Sequence, residues 1–153
     1  AFGETIAGIC NLAGAGAVVE LRVVIQKMNY MRLGAIADFI IRNLSFVAWT
    51  AFMGLEYVGR VAVNEKDVWV EPLDYVVNLA DAVTTMAQMG HDVAIYNIPL
   101  CLLPDSIHQY ACKSISDWKN KYLSECDACR LRTACCGLFA TSSRTFQGIT
   151  SQI

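Results

Sequence analysis

The spacing of hydrophobic and polar positions changes along this chain. Three short runs are dense in β-branched and aromatic residues: VVELRVVIQ (residues 18–26), FVAWTAFM (46–53) and DVAIYNIP (92–99). Runs of this length and composition read as strands. Between them the period lengthens. In MRLGAIADFIIRN (31–43), Leu33, Ile36, Ala37 and Ile40 recur at helical spacing. In LDYVVNLADAVTTMAQMG (73–90), Val76, Leu79, Ala80, Val83, Met86 and Ala87 form one apolar face. Pro72 stands at the start of that helix and Gly90 is its stop. Ahead of the first strand, GETIAGICNLAGAG (3–16) reads as a short helix ended by glycines, with Cys10 expected inside as a small buried hydrophobe.

The resulting order, α-β-α-β-α-β and then a tail, predicts an α/β fold with parallel strands joined by helical crossovers. Parallel strands need cover and neighbours. Three of them predict one half of a larger barrel or sheet, and a chain that opens on Ala1 inside a helix reads as a fragment. Periodicity fades beyond Pro99. Only SISDWKNKYL (114–123) has a short helical pattern there, with Ser114 or Ser116 as its cap and Trp118 expected to anchor the tail by packing.

The first strand has two unlike faces. Val19, Leu21, Val23 and Ile25 alternate with Glu20, Arg22, Val24 and Gln26. Charge on a barrel's inner face is costly unless it meets a polar ligand, which makes Glu20, Arg22 and Gln26 candidates for a cofactor site. An edge strand with one solvated face is the other reading. Lys27, Asn29, Glu56, Asn97 and Cys101 follow the strand ends, where function gathers in parallel α/β folds.

Composition narrows the function classes. The 153 residues are 55% hydrophobic and 17% charged, with a net charge of −2. Such a balance offers no electrostatic case for nucleic acid or an anionic membrane surface. No uncharged run reaches the roughly 18–20 apolar residues of a spanning helix. The longest, residues 5–19, is broken by Asn11 and three glycines. No signal-peptide pattern is visible. Seven cysteines, an odd number, do not make a complete disulfide framework. A reducing cytoplasm is therefore expected, where clustered thiols point to metal. The two histidines, His91 and His108, sit in no pair or relay and read as solvated loop residues.

Four of the cysteines crowd into ECDACRLRTACCG (125–137). Cys126, Cys129 and Cys135 have a spacing that lets two thiols hold one centre from one turn while the third returns after a short loop. Cys101, just past the third strand, is the best fourth ligand, and Cys136 is set aside because neighbouring side chains rarely reach one site together. Four thiolates suit tetrahedral zinc and a four-iron cluster equally. A CxxC used for thiol redox sits at a helix start after a strand. Here it follows KNKYLSE instead, so a thiol-redox domain is disfavoured.

The segments VELRVVIQKMN (19–29), FVAWTAFMGLEYVGRVAVN (46–64), IYNIPLCLLP (95–104) and SISDWKNKYLSECDACRLRTACCGLFA (114–140) together resemble radical S-adenosylmethionine (SAM) enzymes, in particular the His-Xaa-Ser system radical SAM maturases. The resemblance implies a partial (β/α)6 TIM-like barrel, of which residues 1–98 would be the carboxyl half, followed by a Cys-rich extension, residues 99–153. It implies an auxiliary 4Fe-4S cluster on Cys101, Cys126, Cys129 and Cys135, with Arg22 as partner of the SAM carboxylate and Glu20 and Asn29 holding ribose hydroxyls or orienting Arg22. It also implies an oxidoreductase chemistry in which a 5′-deoxyadenosyl radical takes hydrogen from a ribosomally made peptide. The CxxxCxxC loop of the catalytic cluster is absent from the chain, so the expected partners include a missing amino-terminal half as well as the peptide. The competing expectation is a non-catalytic α/β module stapled by zinc that binds a partner protein.

Overall fold

A computed structural model describes residues 1–113 and 117–152. Ser114 and Ser116, the cap candidates, lie outside the described residues. The element order is α1 (Phe2–Gly14), β1 (Glu20–Ile25), α2 (Leu33–Asn43), β2 (Trp49–Gly54), the single turn α3 (Glu65–Val68), α4 (Pro72–Gln88), β3 (Val93–Tyr96), and the two-residue strands β4 (Asn120–Lys121) and β5 (Leu138–Phe139). The mixed α/β organisation and the parallel sheet expected from periodicity are present. The strands lie in the order β1-β2-β3, all parallel, with Arg22 beside Ala51 and Ala51 beside Ala94.

Strands added in sequence order through crossovers of one hand keep their helices on one face, and there α2 packs against α4. The core forms between them. Leu33, Ala37 and Ile40 of α2, and Tyr75, Leu79, Val83 and Met86 of α4, are buried. Phe52 and Ile95 meet them from the sheet, as does Ile25 from the apolar face of β1. The buried side of α4 turns slightly from the expected stripe: Tyr75 and Ala82 enter the core, while Val76 and Ala80 are only partly covered. Helix α1 departs further. It has no buried residue, and Cys10 is exposed rather than packed inside. It touches the rest through Ile6, Ile9 and Ala13 against the core and through Phe2 edge-on to Phe39, with ring centroids 5.4 Å apart. The helix has apolar residues on all sides, so periodicity selected no face for burial.

The opposite face of the sheet carries Arg22 in register with the small residues Ala51 and Ala94, and Met53 in register with Tyr96. The strand ends there are close-packed. A Cβ on Gly54 would stand 2.7 Å from the carbonyl oxygen of Asn97, the one described non-glycine residue with positive φ (65°). Only glycine lets β2 end against that strained turn.

The tail returns over this region with only short turns and one two-residue hairpin. Ala111 extends the sheet by a parallel bridge to Ile95, with the Cys112 amide donating to Ile95 O at 2.8 Å. The helix expected over residues 114–123 is replaced, in its described part, by a single turn (Asp117–Lys119) and the strand β4 paired with β5. Trp118 is 74% exposed and anchors nothing. Final residues strap across α3 and the start of α4: Arg144 pairs with Glu65 and Glu71, and Phe146 stacks on Trp69 at 5.8 Å. Among the described residues no helix is long and apolar enough to cross a membrane.

Truncating a side chain at the α2–α4 seam removes contacts that nothing else can supply. Leu79→Ala is expected to cost about 2–5 kcal/mol, read as a lowered midpoint in urea with unchanged slope. The exposed Leu73→Ala on the same helix is expected to cost less.

Candidate functional site

Four cysteines line one small cavity at the carboxyl end of β3: Cys101, Cys126, Cys129 and Cys135. Each arrives by a different local device. Pro99, which has no N–H and a fixed φ, starts the turn Leu100–Leu102 that carries Cys101. Cys126 closes the turn Ser124–Cys126, and the Cys129 amide donates to Cys126 O at 3.2 Å, so the CxxC winds around its own first residue. Cys135 is the buried one. Its sulfur accepts the Leu100 amide and the Gly137 amide, each at 3.3 Å. Gly137 holds φ 62°, and a Cβ there would meet Lys121 O at 2.8 Å. That glycine is what lets the backbone fold back onto the sulfur.

Of the adjacent pair, Cys135 faces the cavity and Cys136 does not. The Cys136 thiol donates toward Cys135, which together with the two amides holds the Cys135 thiol down to about 6, against desolvation. The same contact and burial push Cys136 well above the ordinary thiol range. Cys136 Sγ also lies 3.3 Å from Gly137 O. One proton serves one acceptor at a time, and the charged sulfur is the stronger. Burial raises Cys101, helped by its closeness to Cys135 and Cys126, while the Thr150 backbone amide works the other way.

Leu100, Leu131, Leu138 and Ile149 close the walls, and the enclosed space is about 20 Å³, room for about one water. Among the described residues no three His, Cys, Asp or Glu side chains form a group able to hold a single metal ion. The thiols ring the cavity instead of meeting at one point.

Two supports of this site carry no signal in the sequence. His108, read as a solvated loop residue, is half-buried, and its Nε2 lies 3.0 Å from both Leu100 O and Leu103 O. Two carbonyl acceptors require a proton on that nitrogen, so the ring holds the Cys101 turn as a donor. Tyr122 donates its hydroxyl to Cys135 O at 2.9 Å. His108 reaches back five and eight residues and Tyr122 forward thirteen, spacings that belong to no regular helix or strand pattern.

The residues expected around Arg22 divide. Glu20 does orient it, accepting Nε–H at 2.6 Å. Asn29 spends its amide on the backbone, accepting from Gln26 N at 2.8 Å and donating to Val24 O at 2.9 Å. It shapes the end of β1. Gln26 lines a separate hollow with Leu55, Arg60 and Asn64, and the Lys27 ammonium donates to Lys66 O. Glu56 and Asn97 do join Arg22 around a larger cavity, with Lys119 and Phe139 of the tail. Desolvation holds the Tyr96 hydroxyl above its ordinary range, helped by the neighbouring Cys112.

No family model, curated protein or solved structure matches the chain.

The Cys135 shift sets a pH dependence. Its folded value lies below that of a free thiol, so between about 6 and the ordinary thiol range the unfolded chain binds more protons, and stability rises with pH there. Above that range the raised Cys136 opposes further gain. In reduced protein without added metal, the denaturation midpoint is expected to climb from pH 6 to pH 8. Cys135→Ser is expected to flatten that climb, together with the ultraviolet thiolate absorbance that titrates near pH 6.

Proposed function

We propose that this chain is the carboxyl half of a radical SAM peptide maturase, its three strands belonging to a partial (β/α)6 barrel and its tail holding an auxiliary four-iron cluster on Cys101, Cys126, Cys129 and Cys135. One observation carries the reading: four cysteines from two separate segments line a single cavity, with backbone amides aimed at the most buried sulfur. Thiolates are the ligands of such clusters, and N–H donors on sulfur help to set their potentials. A single zinc needs every sulfur about 2.3 Å from one point. A ring of thiols is better suited to several irons.

Bound there, the cluster supplies one-electron transfer. The chain's own residues do the rest. The Leu100 and Gly137 amides offset charge on Cys135. Leu131, Leu138 and Ile149 line the walls beside the sulfurs and lower the polarity around them. With four protein thiolates no iron is left open to substrate, which favours electron transfer over direct ligation. A four-iron cluster is larger than the 20 Å³ between the walls, so the walls would have to part for the four thiolates to hold it. On the sheet, Arg22 held by Glu20 suits the carboxylate of SAM as a forked donor. CxxxCxxC does not occur in the chain. In this reading the catalytic cluster sits on residues outside it, the chain alone does not cleave SAM, and the work is done in a reducing cytoplasm on a ribosomally made peptide.

Anaerobic reconstitution with iron and sulfide is expected to give a brown protein with about four irons and four sulfides per chain. Cys135→Ser is expected to lose most of that iron, whereas Cys112→Ser and Cys136→Ser keep it. Tight uptake of zinc with no iron under the same conditions overturns the cluster and leaves the zinc-stapled binding module.

A further inference from the structure

The cavity ringed by the four thiols has one wall of a different kind. Leu100 lies in the turn that Pro99 starts and His108 ties down. Leu138 is held by the pairing of β5 with β4. The loop of Cys126, Cys129 and Leu131 is closed by its own backbone bonds, among them Cys135 N to Leu131 O at 2.9 Å. The remaining wall is Ile149 and Thr150. Both belong to the final strap, residues 143–152. Among the described residues a single backbone–backbone hydrogen bond ties that strap to the rest, from Arg130 N to Gln152 O at 2.9 Å.

Side chains hold the strap instead, and they gather at one place. Arg144 reaches Glu65 and, at 3.0 Å, Glu71. Its guanidinium lies over the Tyr57 and Trp69 rings, 5.6 and 5.0 Å from their centroids. Glu71 is the centre of this latch. Besides Arg144 it accepts Trp69 Nε1–H at 2.9 Å and the Gln147 amide at 3.2 Å. Beyond the latch the fit is less complete. Gly148, at φ 78°, lays the strap on Leu73, where a Cβ would stand 2.7 Å from Cδ1. Ser151 Oγ is buried and has no hydrogen-bond partner among the described residues. That is a desolvation cost which water relieves once the strap lifts.

We infer that residues 143–152 form a lid on the thiol cavity, latched by Arg144 between Glu65 and Glu71, and that the lid lifts locally to give access to the thiols while the loop of Cys126 and Cys129 stays folded. The inference rests on the proposed cluster for its cargo, iron and sulfide, and it names the wall that parts to admit them. Local openings of this kind need less free energy than global unfolding and are set by the few contacts that close them. Here those contacts are charge-assisted hydrogen bonds to two carboxylates.

The test is read on the reduced, metal-free full chain. Labelling by iodoacetamide at neutral pH, resolved by peptide mass, follows the open population while reclosing is fast. Arg144→Gln is expected to label Cys101 and Cys135 about tenfold faster, the effect of one lost charge-assisted hydrogen bond. Cys10, already exposed, and Cys112, outside the cavity, are expected to keep their rates. Amide hydrogen exchange is expected to quicken at Arg130 and Gln147, which the closed lid protects, and to hold at Cys129 and Cys135, whose bonds lie inside the loop. Glu71→Gln breaks the latch from the other side and is expected to give the same pattern, which keeps the test valid if Arg144→Gln does not fold. Lys66→Gln, a loss of charge nearby, is expected to change neither rate. Unchanged labelling of Cys101 and Cys135 in both latch variants overturns the inference. So does faster exchange at Cys129 and Cys135, which makes the loop the moving wall, or equal acceleration of Cys112, which marks global unfolding. Reconstitution is a separate reading. Arg144→Gln is expected to take up iron faster and to the same content, and an unchanged rate beside faster labelling overturns the lid as the cargo's route. Absence of iron in every chain overturns the proposed cluster and leaves the lid, measured without metal, in place.

Discussion

The buried sulfur of Cys135 is the point on which the second half of this protein depends. Beyond Pro99 the chain has short turns, a two-residue hairpin and no helix longer than one or two turns in its described part. Such a segment has few internal hydrogen bonds to hold it, and ordering it costs about 1–2 kcal/mol of backbone entropy per residue. The compensation is concentrated. Cys135 accepts an amide from the turn after β3 and another from its own loop, while Tyr122 holds its carbonyl. A thiolate is a far better acceptor than a thiol, so one charge organises three segments. The same arrangement places Cys101 opposite Cys126 and Cys129.

The sheet divides the labour of the first half. On its helix side Phe52, Ile95 and Ile25 are covered completely, and the α2–α4 seam keeps the strands in register. On the other side the middle of the sheet is alanine, low enough for side chains at the strand ends to stand over an open space. Gly54 and Asn97 make those ends tight. The tail then crosses the mouth and is pinned on the far side by Arg144 between Glu65 and Glu71, beneath the stacked rings of Phe146 and Trp69. Thiol cavity and strand-end cavity are therefore neighbours through the hairpin. Lys121 and Leu138, paired across the hairpin, face the first, and Phe139, paired with Asn120, faces the second, as alternation along paired strands requires.

Legibility in the sequence followed the strength of the periodic signal. The parallel strands and both crossover helices were readable because burial imposes period 2 or 3.6 on many residues at once. Helix α1 showed where that fails: apolar on every side, it announced a helix without a buried face, and Cys10 came out on the surface. The pattern over residues 114–123 was too short to outweigh pairing with β5, which took Asn120 and Lys121 into a strand. Asn29 followed its nearest partners, the backbone groups of Val24 and Gln26, as short amide side chains do.

By itself the sequence determined the alternation of strands and helices, the face of β1 that enters the core, and the set of thiols available in the tail, because each is a matter of local spacing and chemistry. Only the tertiary structure decided which sulfur of the 135–136 pair faces the cavity, that His108 supports the Cys101 turn, and that Lys119 and Arg22 line one cavity. Those outcomes depend on contacts between separate turns and segments, not on a repeating pattern. Local spacing contains no record of them, since they are set by how a non-periodic tail satisfies its backbone groups against an already folded sheet.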